Sequence, residues 1–314
     1  MTKFVGRRGA LGVAIEATRG VAVAPAYWIP FATMTFADKI DSAIENQGMG
    51  NIADTDSFYV TMQRGEGDVE SQLYDQAIPY ILTSLLGAIP ITTGSNPYTH
   101  TFTLSAVNQA KSLSLFWKDP DRSYIFPFAI VDSFQMSVEP SGIVNYTIGF
   151  KSKRADDYST QTPAYTTIGS KFLHQHLIFK LAANVAGVAA ATAISLKGLE
   201  LNIARNAIFD TVMGTAEPED ILSQSISVEG NITLNLEDDT YRNYMLNNTY
   251  KTMQIKLSQS TSSSFDLQFP RVSFAEWEPD FALDEIAKQK INFKGHYDSA
   301  NAQAIITTAT VINT

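Results

Sequence analysis

The sequence predicts a mainly β chain built as a tandem duplication, two copies of one module with a single flanking helix in each. Three observations predict this. Alternation of apolar and polar residues is the dominant pattern, a helical stripe appears once in each half, and the same order of elements runs twice through the 314 residues. Alternation with a period of two marks a strand with one buried and one wet face.

In the first half, residues 11–20 read as a strand with a small-residue turn, and residues 33–39 as a strand ending at a basic residue. A polar, Gly- and acid-rich loop follows at 45–57, and Gly65-Glu66-Gly67-Asp68 leads the next strand. Residues 74–86 form a helix, because Ile78, Ile81, Leu82 and Leu85 fall on one stripe. Asp75 suits its start, Pro79 is tolerated in its first turn, and Gly87 suits its stop. Strands then follow around Tyr98, His100 and Phe102, at 112–117, around Phe134, Met136 and Val138, and around Tyr146, Ile148 and Phe150.

The second half repeats the order: residues 177–187, 199–205, a loop at 210–220, and a strand from Gly230 with Ile232, Leu234 and Leu236 against Asn231, Thr233 and Asn235. A short helix after Asp238 and Asp239 places Tyr241, Tyr244 and Met245 on one side. The separations drift and then drop once: 167 positions from Met34 to Leu201, 163 from Gly67 to Gly230, 143 from Phe150 to Phe293. One extra segment in the first copy, residues 88–109, accounts for the drop. The expected modules are residues 1–158 and 171–314, with a linker at 159–170 rich in Ser, Thr, Gly and Pro.

Composition narrows the function. Hydrophobic residues at 45% and charged residues at 18% describe an ordinary globular balance. Thirty-two acids against 23 bases give a net charge of −9, poorly suited to tight nucleic-acid binding. There is no cysteine, which removes disulfides, thiolate metal sites and thiol nucleophiles. No stretch approaches a membrane-spanning helix and the N-terminus has no leader-like apolar run, so a protein used in the cytoplasm, or in a particle assembled there, is expected.

The sites with catalytic potential are weak. His174 and His176 would share one strand face as a metal pair, but no third ligand lies near in sequence. The carboxylate pairs (Asp54/Asp56, Asp156/Asp157, Glu217/Glu219, Glu276/Glu278, Asp284/Glu285) mostly fall in loops, where solvated charge is the ordinary explanation. Trp28, Trp117 and Trp277 are more simply packing residues than a sugar platform. No nucleotide-binding glycine pattern and no nucleophile elbow occur.

Residues 9–25 (GALGVAIEATRGVAVAP), the following 27–36, the Gly65–Asp68 run and the Tyr98-Thr99-His100-Thr101-Phe102-Thr103 stretch before 112–117 stand in an order that resembles phage tail tube proteins of long-tailed bacteriophages. The resemblance covers roughly the first 120 residues directly and the remainder through the repeat. It implies modules of two packed antiparallel sheets, β-sandwiches that form a barrel, each flanked by a helix. Six modules would close a ring around a channel and rings would stack into a tube, so that a two-module chain needs three copies (six if it is not duplicated). It further implies a structural, non-enzymatic role in the virion tail with no cofactor. Assembly would take place in the host cytoplasm without membrane insertion. The expected partners are the chain itself and tape measure, tail tip and terminator proteins, with phage DNA as non-specific cargo. Glu45, Asp54, Asp56, Asp210, Glu217, Glu219 and Asp220 are the ring-stacking loop candidates, and Arg7 and Arg8 form a candidate inter-ring arm. A glycan-binding or hydrolytic β-sandwich of the virion, a tail terminator and a capsid decoration protein are the alternatives.

Overall fold

A computed structural model describes residues 3–313 apart from 49, 51, 53, 56, 106–108, 166–167 and 284. The first half contains β1 (Ala10–Ile15), β2 (Tyr27–Ile29), β3 (Thr33–Met34), β4 (Ala37–Glu45), β5 (Ser57–Gln72), α1 (Ile78–Leu86), β6 (Ile91–Thr93), β7 (Tyr98–Phe102), β8 (Leu113–Lys118), β9 (Ser123–Val138), β10 (Asn145–Ser152) and β11 (Asp156–Asp157). The second contains β12 (Leu177–Ala182), β13 (Ala193–Ile194), β14 (Gly198–Ala204), β15 (Ile208–Asp210), β16 (Asp220–Leu222), β17 (Ser227–Asn235), α2 (Thr240–Leu246), β18 (Lys251–Ser260), β19 (Ser263–Asp280), β20 (Lys288–His296) and β21 (Thr308–Asn313). The fold is mainly β, with large antiparallel sheets, as the alternation predicts.

Two layers are built from these strands. One is a continuous sheet of eight strands in the order β4, β5, β10, β9, β14, β17, β20, β19. The other layer consists of two smaller sheets, β2-β1-β8-β9-β11 and β13-β12-β18-β19-β21-β7-β6. The long strands β9 and β19 belong to both layers, pairing first with β8 or β18 and then with β10 or β20. Each shifts register against its inner partner, β9 at Gly149/Phe150 and β19 at Phe274/Glu276. Such bulges bend a strand and let it change sheets.

Seven strand pairings of the first half have a counterpart in the second, in the same sequential order. Gly67 faces Phe150 and Gly230 faces Phe293, at the two separations read from the sequence. Both glycines are needed for close approach. A Cβ on Gly230 would overlap the Glu200 carbonyl, and one on Gly67 would lie 2.6 Å from the Phe36 Cα. Leu201 also pairs with Gly230, so its counterpart is Phe36 beside Gly67 and not Met34; the alignment expected from the sequence is two residues out at that strand.

Apolar side chains from both halves share one core between the layers, from Leu11, Phe36 and Phe134 to Phe269, Phe293 and Val311. The stripe of α1 is buried as its spacing requires: Ile78, Ile81, Leu82 and Leu85 are each at most 1% exposed. The helix starts at Ile78 and not at residue 74, and Asp75 does not cap it. Instead the Asp75 carboxylate accepts from the Ser170 amide (2.8 Å) and the Ser263 hydroxyl (2.6 Å), tying the helix to the second half. Gly87 closes the helix in the left-handed region (φ 79°). On α2, Tyr241, Tyr244 and Met245 pack on the core as expected. The extra segment at 88–109 supplies β6 and β7, and β7 pairs with β21 near the C-terminus, so the halves interlock instead of meeting only at a linker.

Candidate assembly surfaces

Strand alternation sorts the eight-stranded sheet into two faces. One carries the core residues. The other is concave and polar, lined by Glu70, Gln135, Ser137, Asn145, Thr147, Glu200, Asn202, Glu229, Asn231, Glu276, Asn292 and Lys294. Its charges are interleaved and not segregated. Lys294 pairs with Glu229 at 2.7 Å, Arg64 with Glu66 at 3.1 Å, and Lys151 with Asp132 at 3.1 Å. Amides satisfy other carboxylates: Asn231 donates to Glu200 (2.5 Å) and Asn292 to Glu276 (2.6 Å). The surface therefore offers cross-strand polar ladders.

Both ends of this sheet are open. Among the described residues β4 pairs only with β5, and residues 273–280 of β19 pair only with β20. Open edges present unpaired amides and carbonyls, a template for another strand. In the middle of the sheet the matching edges are joined, because β9 pairs with β14 from Val138↔Leu199 to Ser133↔Ala204.

The β4–β5 hairpin projects beyond the core. Its core-side face continues from buried Phe36 into Ile40, Ile44, Phe58 and Val60, which are 55%, 62%, 64% and 39% exposed. An exposed apolar ladder of this kind marks a contact surface. Glu45 ends β4 opposite Ser57, accepting from the hydroxyls of Ser57 (2.8 Å) and Tyr59 (3.2 Å). Asp54 lies exposed near the tip, and Asp56 lies outside the described residues.

The second expected loop is arranged differently. β15 and β16 form a small ribbon carrying Asp210, Glu217, Glu219 and Asp220. It folds back on the first half of the same chain. Asp220 pairs with Arg19 at 3.0 Å, Glu217 pairs with Arg154, and the Gln63 amide donates to the Ala216 carbonyl at 2.7 Å. Burial lowers the Arg19 pKa, opposed by the charges of Asp220 and Glu16. Glu219 is exposed, its amide bonded to the Asp210 carbonyl at 2.9 Å. Arg7 and Arg8 are exposed in a short 3-10 turn, Gly6–Arg8, beside an apolar groove that includes Pro30, Phe31, Met34 and Tyr165.

The remaining candidates have local partners. His174 and His176 lie in a 3-10 turn and not on a strand face. The Nδ1 of His176 accepts from the Leu173 amide (3.1 Å), and burial followed by the neighbouring His174 lowers its pKa. His100 contacts Thr92 Oγ1 and Asn313 Oδ1 at 2.9 and 3.1 Å. Trp28 packs edge-on to Phe116, Trp117 to Phe31, and the Trp277 indole donates to Gln289 (2.9 Å). Among the described residues no group of three His, Cys, Asp or Glu could hold a metal ion, and no helix is long and apolar enough to cross a membrane.

Sequence reasoning missed the length of β4. Ile40, Ser42 and Ile44 alternate with Asp41, Ala43 and Glu45, but the expected strand stops at Lys39 and the expected loop starts at Glu45, so residues 40–44 went unassigned. It also missed Arg19 and Arg64, which carry no motif. A family model described as phage tail tube protein matches residues 6–308. No curated protein matches the sequence.

Proposed function

The chain belongs to the phage tail tube protein family, and from that premise we propose that three copies close into a pseudo-hexameric ring whose stacked array is the conduit for DNA. It is a structural protein of the virion tail. The observation that carries the proposal is the eight-stranded sheet with a concave polar face and two open edges. Three such sheets joined edge to edge would give one closed barrel, and closure removes every edge. The repeated strand pairings support counting each chain as two modules, and hence three chains to a ring.

The concave face becomes the lumen wall in this arrangement. Its interleaved charges give a hydrated surface with acids in modest excess, over which phosphates slide without a basic cluster to hold them. Stacking falls to the β4–β5 hairpin, whose bare apolar face needs a cover that its own chain does not supply. Arg7 and Arg8 lie free to meet carboxylates of an adjacent ring. Tape measure, tail tip and terminator proteins are the neighbours such a tube requires at its axis and ends.

Electron microscopy of the purified chain, with native mass spectrometry, tests the proposal. Hollow tubes or closed rings of three chains are expected. A stable monomer at high concentration overturns it.

A further inference from the structure

We infer that the seam between neighbouring chains repeats the internal β9–β14 seam, in one register that sets Glu276 of one chain directly opposite Lys39 of the next. This inference rests on the ring proposed above and specifies its interface.

The register follows from the two halves. β9 and β19 correspond residue by residue through their matched bulges, since Ser133 lies opposite Gly149 just past one bulge and Glu276 opposite Asn292 just past the other. β14 and β4 correspond through their glycine-bearing neighbours, with Leu201 opposite Gly230 and Phe36 beside Gly67. The internal seam pairs Ser133 with Ala204, Gln135 with Asn202 and Ser137 with Glu200. Carried to the open edges, these become Glu276 with Lys39, Glu278 with Ala37, and Asp280 with Thr35.

Chemistry on the two edges agrees with that register and argues against its neighbours. A slip of one residue would turn core-facing side chains to the lumen. A slip of two in one direction opposes Glu276 to Asp41, two like charges that offset the Glu278–Lys39 pair it would form, and a slip of two in the other leaves Lys39 with no carboxylate opposite. In the inferred register Glu276 meets a lysine instead. Both side chains are exposed in the single chain, where Glu276 accepts from Asn292 and Lys39 has no hydrogen-bond or ion-pair partner among the described residues. At the internal seam the same position holds small uncharged residues, Ser133 and Ala204. The chain thus carries a charge pair at the seam that must be found by diffusion and none at the seam that is covalently guaranteed. Opposite charges on approaching edges select register and partner more than they add affinity.

Cysteine pairs test this directly, because the chain contains none. Directly opposed residues in an antiparallel pair have Cα atoms about 4.5–5.5 Å apart, within disulfide range. Residues two positions out of register are roughly 8 Å apart, beyond it. The double variant A37C/E278C, assembled and oxidised, is expected to give a covalent ladder ending at three chains, while A37C/E276C stays monomeric on a denaturing gel. In parallel, K39E is expected to lower tube yield on the order of 10-fold at low salt, and K39E/E276K to restore it. Tubes that cross-link only through A37C/E276C, or through neither pair, overturn the register while leaving the tube intact. Failure of the unmodified chain to form rings or tubes instead overturns the proposed function. If K39E/E276K assembles no better than K39E, the charge pair is refuted even where the cross-link forms.

Discussion

The connection between the first two inner strands is built one way in the first half and another way in the second. After Phe36 the first half runs on as a two-stranded projection, with Ile40, Ile44, Phe58 and Val60 bare. After Ala204 the second half turns into the β15–β16 ribbon. Ile221 of that ribbon is buried with Phe128 and Ile130 of the first half, and Phe209 packs against them. The strand pairings around both connections are alike, so the difference lies in what the connection covers. The ribbon buries Ile221 against the first half of its own chain, whereas the hairpin leaves its apolar ladder uncovered. A ring of three such chains would carry three projecting hairpins, not six.

The largest expected effect separates these two roles. Replacing Ile44 and Phe58 with aspartate puts charge on the bare face while leaving the core untouched. The variant is expected to form rings but no stacked tubes in micrographs, with its melting temperature within about 3 °C of the parent, as for other surface changes. Tubes of normal length would show that the hairpin is not the stacking element. The corresponding change in the ribbon, Asp220→Ala, should do the reverse. It leaves half-buried Arg19 without its carboxylate and is expected to cost about 1 kcal/mol of chain stability by denaturant unfolding, with tube length unchanged.

Much of this architecture was legible in the sequence. Ile232, Leu234 and Leu236 alternate so cleanly that β17 could be placed, and the helical stripe of α1 fixed its buried face. The Gly67–Phe150 and Gly230–Phe293 pairs were visible as offsets because close approach forces a glycine at both sites, by the Thr35–Phe36 backbone at Gly67 and by the Glu200 carbonyl and the Phe293 ring at Gly230. What was hidden depended on long-range partners. Nothing local in Tyr98–Phe102 says that it pairs with Thr308–Asn313, or that Asp75 serves Ser263 and not its own helix. The loop 210–220 looked like 45–57 in composition, and only tertiary contacts with Arg19, Arg154 and Gln63 reveal that it folds inward.

The acids ahead of the two helices extend the comparison to a smaller effect. Asp75 precedes α1 and is 1% exposed, and burial raises its pKa above the ordinary carboxylate value, opposed by the bonds from Ser263 and Ser170. Asp238 precedes α2 in solvent, and hydrogen bonds from Thr240 lower its pKa. The signs of their stability contributions are therefore opposite. For Asp75 the favourable contribution is present below the unfolded carboxylate pKa and is lost as pH rises through the raised folded value. For Asp238 it is present above the unfolded value and is lost as pH falls through the lowered folded one. Asp75→Asn keeps an acceptor for the Ser170 amide and removes the buried charge, so it is expected to melt above the parent at neutral pH, with the gap closing on acidification. Asp238→Asn is expected to melt below the parent at neutral pH, with that gap also closing as pH falls. Paired thermal melts across the acid range measure both differences, and comparing each variant with the parent cancels the titration of every other carboxylate. If the two differences share a sign, burial does not govern the first of these acids, and the contrast between a helix anchored in the core and one capped at the surface loses its electrostatic basis.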